Sequence, residues 1–162
     1  MKKILLITIL CFVGGLIFSQ SGQNIYEELQ KESNSLLSLS AGLFNLSYSL
    51  DSNTPDSGRV KAAAIVVGRY VFDIQNIASL IKLETEMNCD QDRELLKKLY
   101  SLELSVLALR LSGEKNPIFD APKLIDPLEF DNYQARKEVD KAITELERTG
   151  NRLLAINKII TN

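Results

Sequence analysis

Acidic side chains are the first candidates for chemistry in this sequence. Asp90, Asp92 and Glu94 stand at alternate positions, a spacing that also begins calcium-binding loops. Such a loop requires glycine at its sixth position and glutamate at its twelfth, whereas this chain has Leu95 and Ser101 there. We therefore expect these carboxylates to act as favourable negative charge at the start of a helix.

Glu32 and Glu84 are a second candidate, because each occupies an otherwise apolar stripe of a predicted helix. Antiparallel helices could bring both residues to the same end of a bundle, where they would form a carboxylate pair. The alternative is that both side chains reach water from the mouth of the bundle. Their positions near helix ends favour that alternative.

The missing residue types limit the chemistry further. The chain contains no histidine, which excludes histidine-dependent catalytic triads, histidine-ligated haem and the Glu-x-x-His metal sites of helical bundles. It also contains no phosphate-binding glycine loop and no nucleophile elbow. We predict a protein that is not an enzyme and has no catalytic, metal-binding or cofactor-binding residues.

The first 19 residues have the layout of a signal peptide. Lys2 and Lys3 precede the apolar run of residues 4–18, and Ser19 offers a small residue for cleavage. An uncleaved anchor and a lipid-modified Cys11 are alternatives, but the run is shorter than the roughly 20 residues of a membrane span. We predict that residues 1–19 are removed and that residues 20–162 are exported to the periplasm or exterior of a bacterium.

Cleavage would leave Cys89 as the one thiol of the mature chain, so no internal disulfide could form. Acidic neighbours, Glu86, Asp90 and Asp92, disfavour its reactive thiolate. We expect an unreactive loop cysteine, with a disulfide to another chain as the alternative. Cleavage also removes two of the 19 basic residues and none of the 21 acidic ones, and this acidic balance argues against a nucleic-acid partner.

The rest of the chain has the pattern of four helices. Between residues 35 and 50, leucines recur every three or four positions, whereas the strict alternation of a strand breaks where Leu36 meets Leu37 and Leu43 meets Phe44. Similar patterns predict helices at about 24–50, 55–87, 90–112 and 127–161, with a connector at 113–126. Turn signals support two of the starts, Thr54 with Pro55 and Asp126 with Pro127.

Each predicted helix has an apolar stripe that we expect to face the core. The first stripe contains Leu29, Leu36, Leu39, Leu43, Leu46 and Leu50. The second contains Val60, Ala63, Val67, Tyr70, Ile74, Ile77 and Ile81. The third contains Leu95, Leu99, Leu102, Val106 and Leu109. The fourth contains Val139, Ala142, Leu146, Thr149, Leu153, Ile156 and Ile160, although Gly150 weakens the case for one continuous helix.

The first two joints are too short for the chain to run back before it reverses direction. Neighbouring helices must then be antiparallel. We predict an all-α, antiparallel up-down four-helix bundle with heptad-like, coiled-coil-like seams, preceded by a cleaved signal peptide.

The first two helices have more apolar residues than one seam needs. The extra residues that we predict to form an interaction face are Leu37, Phe44, Tyr48, Ile65 and Phe72. Three alternatives remain for what covers this face: the connector folding back, a second copy of the chain, or a different protein or lipid. The serines among these leucines either allow close helix approach or form an uncharged wet face, and the second role is the more common for serine.

These observations predict a protein that acts through protein–protein contact, by self-association or by docking a partner. The alternative is a carrier that holds an apolar small molecule or lipid in a slot at residues 62–64, Gly68 and Ala78. We expect no stable membrane insertion of the mature chain, because Arg69 and Asp73 interrupt the second helix. Their i, i+4 spacing predicts a local ion pair.

Overall fold

The structure is a computed structural model that describes residues 2–112, 128 and 130–161, with side chains from residue 22 onward. The described part consists of α1 (Lys2–Ser49), α2 (Pro55–Glu86), α3 (Asp90–Leu111) and α4 (Tyr133–Thr161). It contains helices and no strand, so the predicted all-α class is confirmed. The predicted connector at 113–126 lies outside the described residues, and so does Pro127.

α1 begins at Lys2 rather than near residue 24, so the predicted signal segment is helical and continuous with the helix that follows. Leu29, Leu36 and Leu43 are buried at seven-residue intervals. Leu39 and Leu46 pack against the core and are partly buried. The helical interpretation of residues 35–50 is therefore confirmed.

The serines of α1 divide between the two predicted roles. Ser33, Ser40 and Ser47 are buried, again seven residues apart, whereas Ser38 is exposed. Small side chains at this spacing let α1 lie close to α2, which is the helix that it contacts most. The wet-face role, which is the more common one for serine, therefore does not apply to these three residues.

α2 buries every residue of its predicted stripe, from Val60 to Ile81. Pro55 occupies its first turn, as predicted, because a proline there forfeits no helical hydrogen bond. Thr54 does not cap the helix with its side chain; its hydroxyl donates to the backbone oxygen of Asp51 at 2.7 Å instead. The predicted start of α2 at Pro55 is therefore right, although Thr54 marks it by a turn and not by a side-chain cap.

α3 presents the opposite face from the one predicted. Its buried residues are Tyr100, Leu104, Leu107, Ala108 and Leu111, while Leu95, Leu99 and Leu102 are exposed. The helix has two apolar stripes, and hydrogen bonds to neighbouring helices accompany the buried one. The Tyr100 hydroxyl donates to Glu84 at 3.0 Å, and Ser101 Oγ donates to Asn157 Oδ1 at 2.8 Å.

α4 begins at Tyr133, six residues later than predicted. Asn132 explains the difference, because its side-chain oxygen accepts the backbone N–H of Ala135 at 3.0 Å as a helix cap does. The Asn132 backbone N–H in turn donates to the buried Asp56 at 2.7 Å. All seven residues of the predicted α4 stripe are buried.

Gly150 does not interrupt α4. A Cβ at this position would lie 2.6 Å from the backbone nitrogen of Ser112 and 2.9 Å from the Leu111 carbonyl carbon. The end of α3 therefore packs directly on α4 at a place where no side chain fits.

The four helices pack around one cluster of buried apolar residues. α1 contacts α2 most, α3 contacts α4 most, and weaker contacts join α2 to α3 and α1 to α4. Among the residues whose side chains the structure describes, from residue 22 onward, α2 is the one helix whose length and composition would suffice to cross a membrane. Core helices of water-soluble proteins meet the same criterion, and 44% of the tested α2 window is buried inside this structure.

Candidate functional site

Three of the five residues predicted to form an interaction face lie together. Phe44 of α1 and Ile65 and Phe72 of α2 line a surface groove of about 470 Å³. Phe72 is 63% exposed, and Ile65 is also exposed. Phe44 is partly buried because it packs against the core. We call this depression the α1–α2 groove.

Leu37 and Tyr48 complete the predicted face but lie outside the lining of the α1–α2 groove. Both are exposed, Tyr48 to 74%. The Lys61 ammonium lies 5.9 Å from the centre of the Tyr48 ring, a distance at which a cation and an aromatic face attract each other. The structure thus brings three predicted residues together and leaves two on the neighbouring surface of α1.

The floor of the α1–α2 groove is made of small residues. Ala64 and Gly68 line it, and Ser40 Oγ donates to the backbone oxygen of Ala64 at 2.9 Å. A Cβ on Gly68 would lie 3.3 Å from Ser40 Oγ, so the two helices are close here. The close approach leaves a depression between larger side chains, with room for an apolar side chain from another molecule.

Two charged residues complete the lining of the α1–α2 groove, Arg69 and Asp73. Arg69 is exposed and Asp73 is half-buried. The ion pair predicted between them is not among the salt bridges of the described part of the chain. Asp73 also lines a second groove beside α3, which places this carboxylate between two surface depressions.

The second depression, which we call the α2–α3 groove, was not anticipated from the sequence. It has a volume of about 480 Å³, and its lining includes Ile77, Leu99, Leu102 and Val106. The sequence shows the apolar spacing of these α3 residues, but that spacing predicts a core position and not a surface groove. The signal that could have separated the two stripes is Tyr100, whose hydroxyl needs a buried partner.

Glu32 belongs to a cluster of charged and polar residues between α1 and α4. Its carboxylate is buried and accepts hydrogen bonds from Arg152, from Arg148 at 3.3 Å and from the Thr149 hydroxyl at 3.1 Å. Glu145 extends the cluster, because it accepts bonds from Arg148 and from Ser35. The hydrogen bond from Arg148 lowers the pKa of the Glu145 carboxyl and raises the pKa of Arg148 itself.

Glu84 lies in a different environment from Glu32, so the carboxylate pair does not form. The favoured alternative, in which both side chains reach water, is wrong for Glu32, which is buried. Glu84 accepts the hydrogen bond of the Tyr100 hydroxyl at 3.0 Å. Burial, together with the negative charge of Glu84, raises the pKa of Tyr100 well above its usual value. Each glutamate is thus engaged by its own structural partners.

The acidic start of α3 agrees with its predicted role. Asp90 and Asp92 lie in the first turn. Glu94 forms an ion pair with Lys98, with 2.7 Å between Glu94 Oε1 and Lys98 Nζ. Within the described ranges, no group of three or more histidine, cysteine or acidic side chains could hold a metal ion. Cys89 is a free, exposed thiol immediately before the helix.

The small residues that suggested a ligand slot are used for helix packing. Ala63, Ala64 and Ala78 are fully buried, and Gly68 faces Ser40. These contacts give no support to a slot for a lipid at those positions.

The α1–α2 groove, the α2–α3 groove and the Glu32 cluster are the three features from which a function can be argued. Comparison of the chain with protein-family models, with curated proteins and with solved structures finds no match.

Proposed function

We propose that this protein is an exported, non-enzymatic helical bundle that acts through protein–protein contact on the face of α1 and α2. The observation that carries the proposal is the α1–α2 groove, in which Phe72 and Ile65 are left exposed beside a floor of small residues. Aromatic side chains in such settings are enriched at protein interfaces. The occupant is another polypeptide, either a second copy or a different protein.

The engagement of the acidic residues supports a non-enzymatic role. The Glu32 carboxylate accepts hydrogen bonds from two arginines and a threonine, and the Glu84 carboxylate accepts one from Tyr100. A catalytic carboxylate needs access to a substrate proton. These two are committed to holding helices together.

We also propose the antiparallel up-down order of the helices. Its support is that residues later in one helix meet residues earlier in the next. Along α1 and α2, Ser47 meets Ser57, Ser40 meets Ala64, and Gly22 meets Thr85. Along α1 and α4, Glu32 meets Thr149 and Ser35 meets Glu145.

Export is proposed from the sequence layout of residues 1–19. N-terminal sequencing of the protein recovered from the exported fraction tests it. We expect a mature chain that begins near residue 20, whereas recovery of the intact chain from the cytoplasm would contradict this part of the proposal.

The contact proposal is tested by comparing Phe72→Glu with Ile159→Glu. Both parent side chains are 63% exposed, but Ile159 lies on α4, away from the groove. The full chain is expressed with its leader, purified from the exported fraction, and analysed by light scattering and by co-purification. We expect wild type and Ile159→Glu to form a complex that light scattering or co-purification detects, and we expect Phe72→Glu to lose it. If all three folded proteins have the same mass and the same co-purifying partners, the proposal is contradicted.

A further inference from the structure

α3 has a second apolar stripe, and the described part of the bundle leaves the first half of it exposed. Leu95 is 69% exposed and Leu102 is 64% exposed, with Leu99 also exposed between them. Val106 and Leu109 continue the stripe and are half-buried. The steps of four, three, four and three residues are the a and d spacing of a two-heptad coiled-coil seam.

The residues beside this seam have charges that complement a second copy of the same helix. With Leu99 at position a and Leu102 at position d, Lys98 falls at g and Glu103 at e. In a parallel pair, the g residue of one helix faces the e residue of the other, five positions later. Lys98 of each copy would therefore meet Glu103 of the other, and a twofold axis produces this pair twice.

The present partners of these charges leave them accessible. Lys98 forms an ion pair with Glu94 in which both side chains are mostly exposed, so the ammonium can reach a second carboxylate. Glu103 is exposed at the edge of the α2–α3 groove. In the antiparallel register that pairs Leu99 with Leu102, Lys98 would instead lie opposite Ser105 and Glu103 opposite Leu96, with no opposite charges.

We propose that α3 is a homodimerisation helix, which pairs in parallel with α3 of a second copy along Leu95, Leu99 and Leu102. The α2–α3 groove widens the buried surface, because Leu99 and Leu102 form one wall of it and Ile77 contributes to its lining. Two heptads bury less than the about 800 Å² per partner of a typical stable interface. The dimer is therefore concentration-dependent, and its seam residues Leu95, Leu99 and Leu102 lie outside the lining of the α1–α2 groove.

Sedimentation equilibrium across a concentration series tests the dimer. The sample is the protein that is expressed as the full chain and purified from the exported fraction. We expect Leu102→Glu to raise the dimer dissociation constant at least about tenfold, and Ile159→Glu, with an equally exposed parent residue, to leave it unchanged. Lys98→Glu should weaken the dimer, and Lys98→Glu with Glu103→Lys should restore it. A wild-type monomer at every concentration, or no rescue by the charge exchange, would overturn the proposal.

The helix direction is tested by disulfide trapping with an added oxidant in a Cys89→Ser background. Leu99→Cys at the a position should give a covalent dimer, because a positions face each other in a parallel pair. Ile159→Cys should not. Equal trapping of both variants, or of neither, would overturn the parallel dimer. Phe72→Glu leaves this dimer intact, so loss of partner binding and loss of dimerisation are separate results.

Discussion

α1 is held on its two sides by contacts of opposite character. Towards α2 it presents buried serines, and Ser40 donates to the Ala64 backbone at 2.9 Å. Towards α4 it presents Glu32, which two arginines and a threonine bind. The neutral side brings two backbones close together, whereas the charged side joins specific residues.

The two kinds of contact have different roles. The serine contact with α2 sets how close the helices lie, whereas the Glu32 contact with α4 sets their register. A repeat of serine and alanine fits in more than one alignment, because successive turns offer similar small surfaces. The Glu32 carboxylate finds its donors in a single alignment of α1 and α4. Single buried polar or charged residues have such a role in coiled coils, where they fix the register at some cost in stability.

Removing the cationic partners of the buried Glu32 should have the largest effect on stability. Arg148→Met with Arg152→Met leaves this carboxylate without its cationic partners, and we expect a loss of about 3 kcal/mol in the free energy of unfolding. Urea denaturation measures it. Adding Glu32→Leu to that double variant should recover most of the loss, since a fully apolar replacement has no unpaired charge; equal stability of the double and triple variants would contradict the role assigned to Glu32.

Widening the neutral contact should have the next largest effect. Ser40→Leu places a large side chain where α1 and α2 nearly touch, and we expect a loss of about 2 kcal/mol in thermal or urea unfolding. Ser38→Leu is the matched control, because Ser38 is exposed on the same helix. Similar losses for the two variants would mean that the close approach at Ser40 has no special importance.

Acid should weaken the charged side slightly. The pKa of Glu145 is lowered in the folded state by its hydrogen bond from Arg148, so its stabilisation is present above the unfolded value and is lost as the pH falls through the folded one. We expect an effect below about 1 kcal/mol, because the pair is partly exposed and water screens it. Glu145→Gln should flatten the dependence of unfolding free energy on pH below about 4.5. An unchanged slope would mean that the Glu145 carboxyl does not contribute to the loss of stability in acid.

The contrast between α2 and α3 explains how much of the fold could be predicted. Leu, Ile and Val at a three-four spacing identified the buried faces of α2 and α4, because each has one dominant apolar stripe. α3 has two, and periodicity alone does not choose between them. The choice follows from partners far away in sequence, such as Asn157 for Ser101.

The candidate site was predictable to a similar extent. Excess apolar residues identified Phe44, Ile65 and Phe72, which line one groove. The groove itself depends on the closeness of Ser40 to Gly68, and that closeness follows from packing rather than from any local pattern. The partners of Glu32 were also hidden, because Arg148 and Arg152 lie more than a hundred residues away and read as ordinary surface charges.

Side-chain footprinting with hydroxyl radicals tests the contact role most directly. Phe72 and Ile159 have the same exposed fraction in the single chain. For each residue, the extent of labelling in the undiluted exported fraction is divided by the extent of labelling after purification and dilution. Ile159 is the reference, because it lies outside the proposed contact. We predict a ratio well below one for Phe72 and near one for Ile159. The same ratio for both residues would contradict a protein partner on the face of α1 and α2.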